Sequence, residues 1–411
     1  MEAEHLKFVI VGHVDHGKSS LIGRLLYDTN SLAPDKIAEM VKASGGSDKQ
    51  AEFAFLLDHL EEERKQGITI DTTQVFFKTA KRHYVIIDAP GHVEFVKNMI
   101  TGASQAEAAV LIVDVTQGVK EQTKRHSYML AMLGLRQVVV VLNKMDLEGY
   151  CEDKFDSVKK DVQEWLKSIK IEPVFYIPIS AIKGDNVVTR SENMKWYTGL
   201  TFLECLDTLQ NKQLPQNKPL LFPIQDVYKI EDKRINAGRV EAGVIRKGMG
   251  IKILPTGQET KVSTIEKFLE ETDEAIAGEC IGITTSDAVF LERGNIICSP
   301  GNEPVLTDSI SANIFWMAKQ DFNKNQRLTI KCATQETTCK IESINKRINS
   351  STLEVIAEND EVIKNLEVAE VRIKTKKPLA VRSFNDVEEL GRFVLVQNEN
   401  ICAGGIITLG E

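Results

Sequence analysis

Apolar residues follow two different rhythms along this chain. Up to about residue 210, short unbroken apolar runs alternate with stretches of helical periodicity. The runs at 7–11, 83–87, 110–113, 138–142 and 174–178 read as strands, and helical patterns fall at 18–27, 93–102, 121–133 and 152–169. A further charged helical stretch covers 52–66. Strand–helix alternation of this kind predicts a mostly parallel sheet with helices on both faces. The rhythm changes after Gln210. Residues 211–219 are polar and carry Pro215 and Pro219, as a linker would. From Leu220 onward, short alternating runs are punctuated by Gly238, Gly243, Gly248, Gly250 and Gly257, and helical periodicity nearly vanishes. That half reads as all-β with a break at 304–308. The expected division is an α/β domain over 1–212, one β-barrel over 213–305 and a second over 306–411.

Composition narrows the setting. A chain of 411 residues that is 42% hydrophobic is long enough for two or three domains, each with its own core. The net charge of −8 gives no general attraction to nucleic acid or anionic lipid. No apolar run reaches the ~20 residues of a membrane span, and residues 1–7 lack a signal-peptide pattern. The cysteines (Cys151, Cys205, Cys280, Cys298, Cys332, Cys339, Cys402) include no C-x-x-C pair, so reduced thiols and a cytoplasmic location are expected. All seven histidines lie at or before His126, which excludes a histidine-based metal site in the later domains.

Candidate chemistry sits at strand ends. Gly12-His13-Val14-Asp15-His16-Gly17-Lys18-Ser19 fits G-x-x-x-x-G-K-[ST] in full, after an apolar strand and at the opening of a helix. Its glycines let backbone amides wrap phosphates at a helix N-terminus. Lys18 is expected to reach the β- and γ-phosphates, the Ser19 hydroxyl to ligate Mg²⁺, and Ser20 to extend the phosphate site. Asp88-Ala89-Pro90-Gly91-His92 follows another strand. There Asp88 is placed to hold Mg²⁺ through water, the Gly91 amide to sense the γ-phosphate, and His92 to orient the attacking water. Asn143-Lys144-Met145-Asp146 fits N-K-x-D. The Asp146 carboxylate can accept from guanine N1–H and its 2-amino group, an edge that adenine lacks. The Lys144 stem can lie along base and ribose, and Ser180-Ala181 supplies an amide for guanine O6. Between the first two motifs, Gly67-Ile68-Thr69-Ile70 is a candidate switch in which Thr69 closes over the γ-phosphate and ligates Mg²⁺. The expected hydrolytic set is therefore His92, Thr69 and Lys18, the metal set Ser19, Thr69 and Asp88, and the cofactors GTP and Mg²⁺. One decoy, Ser44-Gly45-Gly46-Ser47-Asp48, resembles a pyrophosphate loop but lacks the preceding strand that motif requires, and reads as a surface loop.

On these residues the chain resembles the translational GTPases over almost its whole length. Gly12–Ser19, Gly67–Asp71, Asp88–His92 and Asn143–Asp146 match that superfamily's motifs, and Gly238-Arg239-Val240-Glu241-Ala242-Gly243 is similar to a turn of its second domain. The resemblance implies an α/β P-loop G domain followed by two all-β barrels, with Val14 and Ile68 flanking His92 as a hydrophobic gate. Two subfamilies compete. One is the elongation factor 1-alpha type, which carries aminoacyl-tRNA; His16 and Ala89 resemble it. The other is the GTPase subunit of sulfate adenylyltransferase, which acts with a catalytic subunit that makes adenylyl sulfate and pyrophosphate from ATP and sulfate. Residues 253–257, 277–279 and 315–318, Arg293-Gly294, the cluster at 351–354 and Gln66 are similar to that second type. The third-domain histidine-proline-glycine and cysteine-histidine segments of the tRNA carriers have no match. The resemblance thus favours a GTP-hydrolysing regulatory subunit of sulfate adenylyltransferase, with a catalytic partner subunit and no nucleic acid or membrane.

Overall fold

The computed structural model describes residues 5–32, 73–89, 99, 103, 105–212, 215–230, 233–267, 270–324 and 326–408. The helix expected at 52–66, the loop at 44–48, the switch candidates Gly67 to Ile70, and Gly91 and His92 lie outside these residues, as does nearly all of 93–102. The chain divides into two compact units, Met1–Lys212 and Gln213–Glu411.

The first unit is built on β1 (His5–Gly12), α1 (Lys18–Asp28), β2 (Thr73–Lys78), β3 (His83–Asp88), β4 (Ala108–Asp114), α2 (Glu121–Met132), β5 (Gln137–Asn143), α3 (Glu152–Ser168), β6 (Phe175–Pro178) and α4 (Phe202–Leu206). The strands run in the order β2-β3-β1-β4-β5-β6. All pairings are parallel except β2–β3, which is antiparallel at the edge. Every residue of β4 is buried, because a parallel sheet is covered on both faces. Helix α1 presents Leu21, Ile22, Leu25 and Leu26 to a core that also holds Phe8, Ile10, Val110 and Ile112. Each such side chain contributes about 1.5–3 kcal/mol on burial. Helix α3 buries Phe155, Val158, Val162 and Leu166, places Glu152 and Asp153 in its first turn and Lys167 in its last, and so complements its own dipole.

Two elements were not expected. Strand β2 alternates exposed and covered positions as an edge strand does, and its pattern was too weak to stand out. Helix α4 is only one turn long but opens with a reciprocal capping box: Thr201 caps the Glu204 amide and Glu204 returns to the Thr201 amide.

Among the described residues the second unit is all-β apart from the short helix Glu388–Gly391. Its first sheet contains Leu221–Ile230, Lys233–Arg239, Gly250–Leu254, Gln258–Lys267, Cys280–Thr285 and Ile296–Cys298, and closes on itself through pairing of Gly250–Leu254 with Gln258–Lys267. Val305–Trp316 opens the second sheet, closed by pairing of Leu328–Cys332 with Gln335–Asn349. In Gln335–Asn349 the first eight residues alternate buried and exposed, the signature of a barrel wall with one apolar face. Gly238 is not a turn glycine: it lies within the strand Lys233–Arg239, one residue from its end and paired on both sides, where a Cβ would stand 2.3 Å from the Pro223 carbonyl oxygen. An apolar cluster of Leu221, Ala242, Leu254, Ile296 and Cys298 with Ala380, Val387 and Leu390 joins the two barrels. In the second barrel, Arg347 and Glu367 are both buried and form a two-pronged pair, with 2.8 Å from Nε to Oε2 and 2.8 Å from Nη2 to Oε1.

Candidate nucleotide-binding site

Sheet register assembles the site. Ile10 pairs with Asp88, Gly12 with Ile112, and Asp114 with Asn143. The carboxyl ends of β1, β3, β4 and β5 therefore bring Gly12, Asp88, Asp114 and Asn143 to one edge, where open α/β sheets bind ligands.

Gly12 lets β1 press against β4, since a Cβ there would lie 2.5 Å from the Ile112 carbonyl oxygen. The loop then passes through left-handed conformations at Asp15 (φ 64) and Gly17 (φ 91). Gly17 ends it as the N-cap of α1, with no side-chain cap on the helix amides. Such uncapped amides suit an anion. Lys18 is buried, and its Nζ donates to the carbonyls of Gly12 and His13, each at 3.3 Å. Burial depresses its pKa, and the Asp88 and Asp15 carboxylates push it the other way. Ser19 and Ser20 follow in the first turn, both half-buried. Asp88, at the end of β3, is buried. His13 and Val14 are half-buried and Asp15 is exposed.

The His16 ring is buried, with Nδ1 3.4 Å from the Ile112 carbonyl. Burial pushes its pKa down to about 4, against the pull of that carbonyl. The ring is therefore neutral and turned toward β4, and the backbone carbonyl of His16 makes the contact with the next motif.

That contact is Asn143. Its Nδ2 donates to the His16 carbonyl at 2.9 Å, while its Oδ1 accepts from the Ala181 amide at 2.9 Å. One side chain thus joins the phosphate loop, the N-K-x-D motif and the Ser180-Ala181 loop. The Ala181 hydrogen expected to meet guanine O6 is engaged by Asn143 in this arrangement. Lys144 adopts a left-handed conformation (φ 68), and the next residue, Met145, is buried with its amide donating to Ile179. The following turn, Met145–Glu148, presents Asp146, whose Oδ1 accepts from Ser180 Oγ at 2.6 Å. From α1, Arg24 braces the same loop: its Nη1 donates to the Ile182 carbonyl, and a Cβ on Gly184 would collide with its guanidinium.

Two residues near the site were not foreseen. Asp114 is buried and pairs with Lys144 at 2.7 Å. His126, on α2, is buried beside the Gly12 backbone, with no hydrogen bond of normal geometry to either ring nitrogen. Burial first, and then the nearby Lys18 charge, push its pKa down to about 3. Nothing local marks either residue in the sequence.

Among the described residues no group of three or more His, Cys, Asp and Glu side chains could hold a metal ion by itself. The Ser19 hydroxyl and Asp88 carboxylate are hard oxygen donors, the type that Mg²⁺ accepts alongside phosphate and water oxygens. The donor set fits that ion when a nucleotide supplies the rest. Among the described residues no helix is long and apolar enough to cross a membrane.

The fold and this strand-end site define a P-loop guanine nucleotide-binding protein. Residues 3–215 match the elongation factor Tu GTP binding domain, residues 234–298 match elongation factor Tu domain 2, and residues 309–408 match the GTP-eEF1A C-terminal domain-like family. The chain is 40% identical to elongation factor 1-alpha of Methanopyrus kandleri, over 98% of this chain and 97% of that protein. It is 38% identical to elongation factor 1-alpha of Methanothermobacter thermautotrophicus, over 99% and 98%. It is 36% identical to sulfate adenylyltransferase subunit 1 of Tolumonas auensis, over 98% of this chain and 86% of that one. The chain belongs to the translational GTPase family.

Proposed function

We propose that the chain binds GTP with Mg²⁺ at this site, hydrolyses it, and acts as the regulatory GTPase subunit of a sulfate adenylyltransferase in the cytoplasm. The observation that carries the nucleotide reading is the Asn143 side chain, which bonds the phosphate loop to the base-selecting loops. Phosphate and base recognition thereby become one preorganised surface. In this reading Gly12 to Ser20 cradle the phosphates, Ser19, Thr69 and Asp88 hold the metal ion, and Asp146 accepts from the guanine edge. His92 orients the attacking water. The division of the second half into barrels at 213–305 and 306–411 belongs to the same reading.

The coupling to sulfate activation is supported by barrel segments similar to the GTPase subunit of sulfate adenylyltransferase and by relatives named sulfate adenylyltransferase subunit 1 that span nearly the whole chain. Formation of adenylyl sulfate and pyrophosphate from ATP and sulfate is uphill, and GTP hydrolysis would drive it through a conformational change passed to the catalytic partner. The second reading is delivery of aminoacyl-tRNA, favoured by relatives named elongation factor 1-alpha that are equally or more similar. Co-expression with a candidate catalytic subunit and measurement of sulfate-dependent pyrophosphate release separates the two. GTP-dependent yield is expected. A yield indifferent to GTP, together with GTP-dependent and salt-sensitive binding of charged tRNA, would replace the first reading with the second.

A further inference from the structure

Asp114 stands at the carboxyl end of β4, directly opposite Asn143 of β5 in the sheet register. Its carboxylate is almost wholly buried, 1% exposed, and is held by donors on both oxygens. Oδ1 accepts from the Thr116 amide at 2.8 Å and from Thr116 Oγ at 2.7 Å. Oδ2 accepts from Gln117 Nε2 at 3.2 Å and pairs with Lys144 Nζ at 2.7 Å. The Asp114 carbonyl also accepts from the Gln117 and Gly118 amides, so the turn that carries the carboxylate is itself closed. A buried carboxylate persists only when paired and hydrogen-bonded, and among the described residues its positive partner is the lysine of N-K-x-D. Burial pushes the carboxyl up, yet the Lys144 and Thr116 hydrogen bonds together hold it below the usual carboxylate range.

The partner is just as constrained. Lys144 departs from β5 in a left-handed conformation, so its side chain leaves the strand end in a direction set by the backbone. A lysine stem free at its far end samples many rotamers. One tied at Nζ to a fixed carboxylate keeps only the few rotamers that reach it.

We propose that Asp114 is a positioning residue for nucleotide binding: it anchors the Lys144 ammonium so that the methylene stem stays laid out as a platform for the base and ribose. This rests on the guanine-nucleotide reading of the site. The stem touches the face of a ring and not its hydrogen-bonding edge. Asp114 therefore sets how long a purine nucleotide stays bound and leaves selection of guanine to Asp146.

The test is the dissociation rate of fluorescently labelled GDP from the full chain carrying Asp114→Asn, Lys144→Met, or both. Asp114→Asn keeps the acceptor for Thr116 and loses the charge, while Lys144→Met keeps an apolar stem and loses the ammonium. Each single variant is expected to release nucleotide about tenfold faster, and the double variant no faster than either, the non-additivity of two residues acting as a unit. Release of guanosine and inosine diphosphates is expected to accelerate by the same factor. Wild-type rates in either folded single variant, or full additivity in the double, overturn the proposal. A shift in the guanosine-to-inosine ratio overturns the platform role in favour of edge recognition. If Asp114→Asn does not fold, Lys144→Met decides alone, since a normal release rate there removes any need for an anchored ammonium. Absence of guanine nucleotide binding in the unsubstituted chain would instead overturn the reading of the site.

Discussion

A Cβ on Gly17 would stand 2.3 Å from Asn143 Nδ2, so the phosphate loop and the base motif are fitted to each other, backbone against side chain. Gly17 also sits at φ 91, where an L side chain is strained whatever the space. Asn143→Ala removes both 2.9 Å hydrogen bonds and leaves the buried Ala181 amide without its acceptor. Each lost bond of this kind is worth about 1–3 kcal/mol, so nucleotide affinity is expected to fall about 10²-fold or more, as read by equilibrium titration with labelled GDP. Gly17→Ala is expected to abolish binding in the same assay.

Base selection is expected to switch at Asp146. Asp146→Asn exchanges a two-acceptor carboxylate for a group that offers one donor and one acceptor, the complement of xanthine. The Ser180 hydroxyl that now donates to Oδ1 can still do so. GTP affinity is expected to drop by about 10²-fold or more while XTP binding appears, since unpaired buried polar groups discriminate at that scale. Competition between the two nucleotides measures it. Unchanged GTP preference would remove Asp146 from the guanine-reading role.

Binding and hydrolysis are expected to separate at two residues. Lys18→Ala deletes the buried ammonium that caps the loop carbonyls and is expected to lose nucleotide binding. His92→Ala is expected to keep binding and slow single-turnover hydrolysis by about 10²–10⁴-fold, the usual reach of a positioned general acid–base group. Hydrolysis at the wild-type rate in His92→Ala would assign water orientation elsewhere.

Stability is expected to fall as pH drops below neutrality, because His16 and His126 are buried and neutral. Burial pushes their pKa values down to about 4 and about 3, below the ordinary histidine value of about 6.5. Between pH 6.5 and about 4 the unfolded chain binds more protons than the folded one, so folding weakens as pH falls. Each histidine contributes a slope of up to about 1.4 kcal/mol per pH unit. Urea unfolding at pH 7.5 and 5.5 reads the effect, above the range where the carboxylates titrate. His126→Asn is expected to flatten the dependence by about half.

In the second barrel, Arg347→Ala leaves the Glu367 carboxylate buried without its two-pronged partner. A loss of about 3–5 kcal/mol is expected from denaturant titration, the scale for breaking one side of a buried pair. Replacing both, as Arg347→Met with Glu367→Leu, is expected to recover most of it. Equal destabilisation by the single and double changes would mean that packing, and not the stranded charge, is responsible.

What the chain's linear pattern decides by itself is whatever depends on local backbone geometry. The phosphate loop needs glycines and a lysine at set spacing between an apolar strand and a helix, and those requirements are visible in eight consecutive residues. Parallel strands buried on both faces read as unbroken apolar runs, so β1, β3, β4, β5 and β6 were legible, as were α1, α2 and α3. The alternating second half announced β-structure for the same reason. Which strands close each barrel was not legible, because Gly250–Leu254 meets Gln258–Lys267 through pairings that no short window encodes. Nor were Asp114 and His126. Asp114 reaches Lys144 only because sheet register sets β4 beside β5, and His126 reaches Gly12 only because α2 packs on β1. A lone aspartate after an apolar run and a lone histidine on a helix carry no signature of their own. Their surroundings exist only once distant segments are brought together, and it is burial in those surroundings that gives each its partner, its charge state and its use.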